Sequence, residues 1–256
     1  MELSIIIPAY NEEKNLDRTV KSYIDFFRNK KVKFEIMIAT DGCKDKTPEI
    51  AKKISREYRE VKSINFKERK GKGGGIIEAF KRLEGNWIGF TDADGSTPAE
   101  EFYKLYSYRK GFDALIGSRW VKGAEKKGLT IKRKILSRGL NMLARSLFFL
   151  PYKDTQCGAK LLKRRTLKRI LNQLQITDWA FDINLLYALR KSRARIREIA
   201  VNWKESDTQS HINYKKAVIQ MTLSLIRLRL IYSPVSKIKN KFISNASGKI
   251  YHLFEK

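Results

Sequence analysis

Two carboxylates stand two residues apart in Asp92-Ala93-Asp94, directly after the apolar run Trp87-Ile88-Gly89-Phe90-Thr91. If the run is a strand that continues through the pair, both side chains point to one face and can converge on one divalent cation. A cation there could hold a nucleotide diphosphate as a leaving group. An acidic pair of this kind also fits an ordinary turn at a strand's end, so the neighbouring motifs decide between the two interpretations.

Another acid and a glycine-rich segment follow two further apolar runs. Asp41 begins Asp41-Gly42-Cys43-Lys44-Asp45, in which Gly42 permits a turn and the Asp41 carboxylate could accept hydrogen bonds from a base or ribose. A plain turn that caps the next helix is the alternative. Residues 70–75 contain glycines and lysines that can present N–H and ammonium groups to a phosphate, although a solvated loop has the same composition. The segment matches neither the P-loop nor the dinucleotide-binding pattern.

The elements that must position these residues follow from periodicity. The first 120 residues alternate short apolar runs with amphipathic stretches, which predicts βαβ units and a mostly parallel sheet. We predict strands at 3–9, 34–40, 61–66, 87–91 and 114–117, and helices at about 12–28, 48–59, 74–83 and 98–109. Ligands of such sheets bind beyond the carboxyl ends of the strands. The polar motifs lie there, including Pro8-Ala9-Tyr10-Asn11-Glu12 after the first strand and Gly117-Ser118-Arg119 after the last.

The second half is more helical. A basic linker at 122–133 precedes an amphipathic stretch at 135–150, which ends at Pro151, and a short segment at 159–162. We then predict a helix at 181–191, a strand at 196–203 and an apolar, basic helix at 214–232. No apolar run reaches the roughly 18 uncharged residues of a membrane span, because Arg227 and Arg229 interrupt the longest candidate. We therefore predict a protein that lies on a bilayer without crossing it.

The charge of the chain is unevenly distributed. The net charge is +27 over 256 residues, with 24 basic and 19 acidic residues in 1–120 but 30 and 8 in 121–256. One basic half indicates a polyanionic partner: an anionic membrane, a phosphorylated lipid or a nucleic acid. Cys43 and Cys157 match no metal or redox spacing, and Met1-Glu2-Leu3 enters the first strand without a basic leader. We therefore expect a reducing, cytoplasmic location.

Taken together, these motifs resemble the family 2 glycosyltransferases of the GT-A fold. In the second half, Asp154-Thr155-Gln156-Cys157-Gly158-Ala159-Lys160, Trp179-Ala180-Phe181-Asp182 and Ala200-Val201-Asn202-Trp203 resemble the dolichyl-phosphate β-glucosyltransferase branch and, more loosely, the polyprenyl-phosphate mannose synthases. The resemblance covers about residues 3–210. It implies an α/β fold with a Rossmann-like, mostly parallel central sheet flanked by helices, and amphipathic interfacial helices at the C-terminal end. The implied domains are 1–210, divided into a nucleotide-sugar half 1–120 and an acceptor half 121–210, and a basic membrane-associating helix and tail at 211–256.

The resemblance also implies roles for single residues. The implied nucleotide-sugar ligands are Pro8, Ala9, Tyr10, Glu12, Asp41, Lys72, Gly73, Asp92, Ala93 and Asp94. Asp92 and Asp94 would hold Mg²⁺ or Mn²⁺, with Asp94 as the more direct ligand. Arg119, Arg133 and Ser137 would hold the acceptor's phosphate, and the last two are one helical turn apart. The expected catalytic residues are Asp92, Asp94, Arg119 and Asp182.

The reaction implied by the resemblance is inverting transfer of a hexose, expected to be glucose from UDP-glucose, to a polyprenyl or dolichyl phosphate. The enzyme would act peripherally on the cytoplasmic face of an anionic membrane. A phosphate monoester is already ionised near neutral pH, so it needs positioning and charge neutralisation more than a general base. One alternative is a hydroxyl acceptor on a polysaccharide or protein, with Asp182 as base. Another is a basic nucleic-acid-binding protein, which would leave the acidic pair without a purpose, so we expect no nucleic-acid partner.

Overall fold

The computed structural model describes residues 1–128, 131–176, 178–204 and 214–233, and of residues 127, 131–133 and 214–217 it describes the backbone alone. The first half consists of β1 Leu3–Ala9, α1 Leu16–Asn29, β2 Phe34–Asp41, α2 Thr47–Glu57, β3 Val61–Phe66, α3 Lys72–Phe80, β4 Trp87–Phe90, α4 Ala99–Ser107 and β5 Ala114–Ser118. The second half consists of β6 Lys126–Lys127, α5 Ile131–Phe148, β7 Lys160–Lys163, α6 Arg164–Ile170, a 3-10 turn Leu171–Gln173, α7 Phe181–Lys191, β8 Ile196–Ala200, β9 Trp203–Lys204 and α8 Tyr214–Ile231.

Seven strands form one sheet in the order β3-β2-β1-β4-β7-β5-β8. The pairs β1–β2, β2–β3, β1–β4 and β5–β8 are parallel, whereas β7 runs antiparallel to both β4 and β5. The predicted α/β fold with a mostly parallel sheet is therefore confirmed. Strands β6 and β9 form a separate two-stranded parallel ribbon, which puts the middle of the basic linker beside the residues that follow β8.

Helices cover both faces of the sheet because its central strands are apolar on both sides. Alternation along β1 sends Leu3, Ile5 and Ile7 to one face, where they pack with α1, α2 and α4, and sends Ile6 to the other, which α3, α6 and α7 cover. Helix α1 fits this arrangement because its apolar residues recur at helical spacing and are buried, at Leu16, Val20, Ile24 and Phe27.

A third core cluster joins the long helices of the second half. Phe148 of α5, Ile183 of α7, and Met221 and Leu225 of α8 are buried together in it. The described part of α8 thus packs against α5 and α7, while the proposed domain boundary at residue 210 stays a prediction. Within the described ranges, no helix combines the length and apolar character that a membrane crossing requires.

The glycine-rich segment differs from its prediction. We predicted that residues 70–75 present N–H groups to a phosphate and that a helix starts at about residue 74, but α3 begins at Lys72, and Gly73, Gly74 and Gly75 are buried inside it. A Cβ atom on Gly73 would stand 2.5 Å from the Phe181 ring of α7. Gly73 therefore serves close helix packing, a tertiary gain that outweighs the poor helix propensity of glycine. The linker predicted at 122–133 likewise contains β6 and the start of α5, and α6 was not predicted.

Candidate active site

A cavity opens where β1, β2 and β4 end. Strand β2 lies on one side of β1 and β4 on the other, and such a reversal leaves a crevice at the carboxyl ends of parallel strands. The cavity has a volume of about 220 Å³ and is lined by Pro8, Ala9, Tyr10, Glu12, Ala39, Asp41, Arg69, Lys72, Gly75, Asp92, Ala93 and Asp94. Nine of the ten residues predicted to bind the nucleotide-sugar are thus brought together, and Gly73 lies behind the cavity against Phe181. Their part in binding stays a prediction.

The acidic pair lies in a turn and not in the strand. Strand β4 ends at Phe90, so side-chain alternation along a strand does not bring Asp92 and Asp94 together, contrary to our sequence argument. The turn is closed by the Ser96 amide, which donates to Asp94 Oδ1 at 2.9 Å, and it contains Gly95 at φ +74°. The left-handed conformation favours glycine at that position. Both carboxylates nevertheless reach the same cavity.

The two acids have different electrostatic surroundings. Lys72 Nζ donates to Asp92 Oδ1 at 2.6 Å. Burial works against ionisation of Asp92, but the Lys72 ammonium outweighs it and lowers the pKa of this carboxyl. Burial and then the Asp92 charge raise the pKa of Asp94. Burial likewise raises the pKa of Glu12, with the charges of Asp94 and Asp92 adding to it. Lys72 thus neutralises the charge of Asp92, whereas Asp94 and Glu12 add negative charge beside it without such a partner in these contacts.

The described residues offer a cation the two carboxylates of the acidic turn and no clustered third side-chain ligand. Across the described residues, no group of three or more His, Cys, Asp or Glu side chains is placed to bind a metal. Asp94 is suited to such an ion because burial and then the Asp92 charge raise its pKa, and a divalent cation would offset the repulsion between the two carboxylates. Hard cations accept carboxylate, phosphate and water oxygens, so a diphosphate and water would complete the shell.

Arg119 directly follows β5, close to its predicted place at the strand's end, but its side chain is bound to an acid. Its Nε donates to Asp154 Oδ2 at 2.8 Å and its Nη2 to Oδ1 at 3.1 Å, and the side chain is 14% exposed. Burial opposes the charge of Asp154, yet Arg119 keeps the pKa of that carboxyl low. The Asp154 loop also passes over the acidic pair, because a Cβ atom on Gly158 would collide with the Asp92 carboxylate. Arg119 therefore ties β5 to the wall behind Asp92.

The three residues predicted to hold the acceptor's phosphate are not seen to converge. Arg119 is bound to Asp154, and Ser137 is half-buried on α5. Arg133 belongs to the first turn of α5, but its side chain lies outside the described part of the chain. The phosphate-binding role of this set stays a prediction.

Asp182 is bound to a lysine in the interior. Lys160 Nζ donates to Asp182 Oδ1 at 2.6 Å and to the Cys157 carbonyl at 2.6 Å, and the Lys160 side chain is 1% exposed. Such a pair costs desolvation and is tolerated only when it is well hydrogen-bonded. Asp182 therefore faces a buried ammonium, which does not favour its proposed role as base for a hydroxyl acceptor.

The sequence argument assigned no role to several residues of the site. Arg69 places its guanidinium carbon 3.9 Å from the centre of the Tyr10 ring at the cavity mouth. Asp154 and Lys160 were named only as part of a motif that carries the family resemblance. Lys160 is the first residue of the apolar strand Lys160-Leu161-Leu162-Lys163, and a lysine in such a strand indicates a buried ion pair. Their acidic or basic partners are distant in sequence, so no local pattern identifies them.

Comparison with known proteins identifies the family and confirms the fold class. Residues 4–171 match the family model described as Glycosyl transferase family 2. A dolichyl-phosphate beta-glucosyltransferase of Dictyostelium discoideum is 32% identical over 90% of this chain and 74% of its own length, and the human protein of that name is 31% identical over 90% and 76%. The fold is similar to the crystal structure of glucosyl-3-phosphoglycerate synthase from Mycobacterium tuberculosis, with a TM-score of 0.65, 15% identity and coverage of 91% and 81%. The chain belongs to glycosyl transferase family 2.

Proposed function

We propose that this chain transfers glucose from UDP-glucose to a polyprenyl or dolichyl phosphate, with inversion at the anomeric carbon. The relatives named dolichyl-phosphate beta-glucosyltransferase support the sugar and the lipid phosphate. The similarly folded mycobacterial synthase was crystallised with Mn²⁺, UDP and a glucosylated product, which supports the donor. The observation that carries the proposal is the Lys72–Asp92 pair beside Asp94, in a cavity at the strand ends of a family 2 enzyme.

The donor would lie in this cavity with its diphosphate toward the acidic turn. Asp94, with Asp92, would hold Mg²⁺ or Mn²⁺, which when bound stabilises negative charge on the departing diphosphate. Lys72 keeps Asp92 ionised and adds a positive charge at the same place. Arg69 and Tyr10 form a stacked pair at the mouth, where an aromatic base could pack. Asp41 accepts from the Lys70 amide at 2.6 Å, which orients its carboxylate.

The acceptor needs no general base in this reaction. A phosphate monoester is largely ionised at neutral pH, so the enzyme has to position it and offset its charge. Asp182 is buried against Lys160 and is therefore poorly placed to act as a base. This is consistent with a phosphate acceptor, because such an acceptor needs no base. We assign Asp182 and Lys160 to positioning α7 and the loop beneath Asp92.

Product analysis tests the proposal directly. Purified protein is incubated with Mn²⁺, a short polyprenyl phosphate and UDP-glucose, UDP-N-acetylglucosamine or GDP-mannose, and the lipid product is identified by mass spectrometry. We expect a lipid-linked hexose from UDP-glucose and its loss on chelation. Simple glycans with free hydroxyl groups serve as competing acceptors. Glucose found on the glycan and not on the lipid phosphate would refute the proposal.

We further propose that the chain acts peripherally at the cytoplasmic face of an anionic membrane, since a long isoprenoid acceptor stays in the bilayer. Helix α8 buries one face but exposes another apolar stripe at helical spacing, formed by Ile219, Leu223, Ile226 and Leu230. Helix α5 exposes Ile135 and Met142. These helices belong to the half with 30 basic and 8 acidic residues, which anionic lipids attract.

Flotation with liposomes tests the membrane proposal. We expect the protein to float with vesicles that contain phosphatidylglycerol at moderate salt, and to float less with Ile226→Glu/Leu230→Glu, because two acids in the stripe oppose insertion. Lys53→Glu/Glu57→Lys on exposed α2 is the control, since it exchanges charges without altering an apolar face. A wild-type protein that stays at the bottom of the gradient would contradict this proposal.

A further inference from the structure

Cations from two different elements gather on Trp120, the residue after Arg119. Lys126 Nζ of β6 lies 4.1 Å from the centre of the Trp120 ring, and the guanidinium carbon of Arg138 on α5 lies 4.9 Å from it. Each contact is favourable by itself because a cation is attracted to an aromatic face. Together they hold two like charges close to one another, which is unfavourable without an anion.

The neighbouring charges increase this excess. Burial and then the charges of Lys134, Arg138 and Arg119 lower the pKa of Lys126. Asp154 acts on Lys126 in the opposite direction, but its carboxylate is already bound in two places by Arg119. The cluster of Lys126, Arg138 and Trp120 therefore has a positive charge that its described surroundings do not balance.

The cluster lies between the acidic turn and the apolar surface of α5. On one side, Lys126 pairs with Trp203 in the small ribbon, and the next residue, Lys204, donates its amide to the Ser96 carbonyl at 3.1 Å. Ser96 closes the Asp94 turn. On the other side, Arg138 shares a helix face with Ile135 and Met142, three residues before it and four after, which are 68% and 67% exposed.

We propose that Lys126 and Arg138, held on Trp120, bind the phosphate group of the lipid acceptor. This inference rests on the proposed function. It adds Lys126 and Arg138 to the predicted binding residues Arg133 and Ser137 and gives Arg119, the third residue of that set, a positioning task. A phosphate monoester would offset both cations at once, and a guanidinium can donate to two of its oxygens. The attached isoprenoid would then leave along the apolar face that starts beside Arg138. The Arg119–Asp154 pair forms the inner wall of this site and is a positioning element in it.

Binding of a short acceptor tests the site without catalysis. Citronellyl phosphate is titrated into the full chain while tryptophan fluorescence is followed, and Trp120→Phe identifies the signal. Because charge-assisted hydrogen bonds are lost, Lys126→Gln/Arg138→Gln should weaken binding by roughly tenfold or more. The matched control is Lys53→Gln/Arg59→Gln, which removes the same charge from exposed residues at the opposite edge of the sheet. Equal weakening by both double variants would overturn the proposal, since general attraction would then explain binding.

Two further ligands distinguish the source of the phosphate. Inorganic phosphate should bind much more weakly than citronellyl phosphate, because the apolar chain contributes on the α5 face. Vesicles of phosphatidylcholine with phosphatidylglycerol should not displace citronellyl phosphate from Lys126 and Arg138. Equal affinity for inorganic phosphate would refute a lipid acceptor site. Displacement of citronellyl phosphate by the vesicles would also refute the acceptor site, and would indicate that Lys126 and Arg138 bind the headgroups of ordinary membrane phospholipids.

Kinetics and stability separate this inference from the proposed function. In glucose transfer, the double variant should raise the KM for citronellyl phosphate and leave the KM for UDP-glucose unchanged. Its melting temperature should equal or exceed that of the wild type, because repulsion between the cations is removed. Transfer with an unchanged acceptor KM would refute the site and leave the function standing. Acceptor binding that depends on both cations, in a protein that transfers no glucose, would refute the function and leave the site standing.

Discussion

At the scale of single residues, the acids of the site differ in the charged group that lies next to each of them. Asp92 has an ammonium partner, Asp94 has a like charge beside it, and Asp154 and Asp182 are held by Arg119 and Lys160. Acids of one residue type therefore perform different tasks. Those with partners are held in fixed positions, and the repelled one is suited to bind a cation.

Asn substitution should affect stability in opposite directions at two of the acids. Burial and Asp92 raise the pKa of Asp94, so Asp94→Asn removes repulsion and the metal-free protein should melt no lower than the wild type. Asp113 lies outside the site, accepts from the Arg195 amide at 3.0 Å and stands 3.6 Å from Lys163 Nζ. Its partners lower its pKa despite burial, so Asp113→Asn should cost about 1–3 kcal/mol of unfolding free energy.

The two Asn variants should differ in turnover as well, but here the large effect is expected at Asp94 and none at Asp113. We expect Asp94→Asn to lower kcat by roughly 10²-fold or more, since charge stabilisation of the leaving group is lost, and Asp113→Asn to leave it unchanged. Thermal denaturation and a product assay on the two variants measure both effects. An Asp94→Asn protein that is less stable than the wild type yet fully active would contradict the assignment.

The two cysteines should differ in their reaction with iodoacetamide. Cys157 is 1% exposed, and burial followed by the Asp154 charge raises its pKa to about 11. Cys43 lies two residues after the end of β2 and is half-buried. Because the thiolate is the reactive form, the native protein at pH 8 should be alkylated at Cys43, with Cys157 following only after denaturation. Peptide mass spectrometry identifies the sites, and equal labelling of both in the native state would contradict the buried position of Cys157.

At the scale of elements, the contact between α3 and α7 shows why a glycine-rich segment need not be a phosphate loop. Gly73 and Phe181 meet where the helices cross, and Phe181 in turn stacks near Phe90 of β4, with ring centres 5.9 Å apart. Lys72 starts α3 and reaches Asp92 from there. Close packing of α3 therefore sets the position of the lysine in the site.

Two glycine substitutions test this packing. Gly73→Ala places a Cβ atom 2.5 Å from Phe181, so it should cost about 1–3 kcal/mol and lower turnover through Lys72. Gly139→Ala on α5 meets nothing within 4 Å and should stabilise the protein by about 0.5–1 kcal/mol. Urea unfolding of both variants provides the comparison. A tolerated Gly73→Ala with normal activity would show that α3 and α7 are not closely packed.

At the scale of the whole molecule, several carboxylates link stability to pH. Arg28 lowers the pKa of Glu60, and hydrogen-bond partners outweigh burial to lower those of Glu35, Asp113 and Asp154. A carboxyl whose pKa is lower in the folded state contributes stability above its unfolded pKa, and this is lost as the pH falls through the folded value. Glu12 and Asp94, whose pKa values are raised, act in the opposite sense and partly offset the loss.

The unfolding free energy should therefore be nearly constant close to neutrality and decline below roughly pH 4. Melting temperatures measured from pH 7 to 3 in the absence of metal test this. Glu60→Gln removes the bidentate contact with Arg28, at 2.9 Å for both bonds, and should make the decline less steep. A melting temperature that rises toward pH 3 would contradict the four lowered pKa values.

The first five strands and the helices between them could be predicted from sequence because their signals are local. Strands β1 and β3 have the predicted bounds, and β2, β4 and β5 differ by a residue at their ends. The antiparallel insertion of β7 between β4 and β5 could not be predicted, since pairing partners depend on contacts distant in the chain. For the same reason the ribbon of β6 and β9 was interpreted as a linker and the end of a longer strand.

The amino-acid sequence by itself determined the class of fold, the family and most of the residues around the cavity, because periodicity and short motifs are properties of neighbouring residues. Only the tertiary structure decided the partners of the charges. Lys72–Asp92, Lys160–Asp182 and Arg119–Asp154 join positions 20, 22 and 35 residues apart. Lys126 and Arg138 meet on Trp120 through a ribbon and a helix. Burial makes such pairings strong, and burial is a property of the folded chain as a whole.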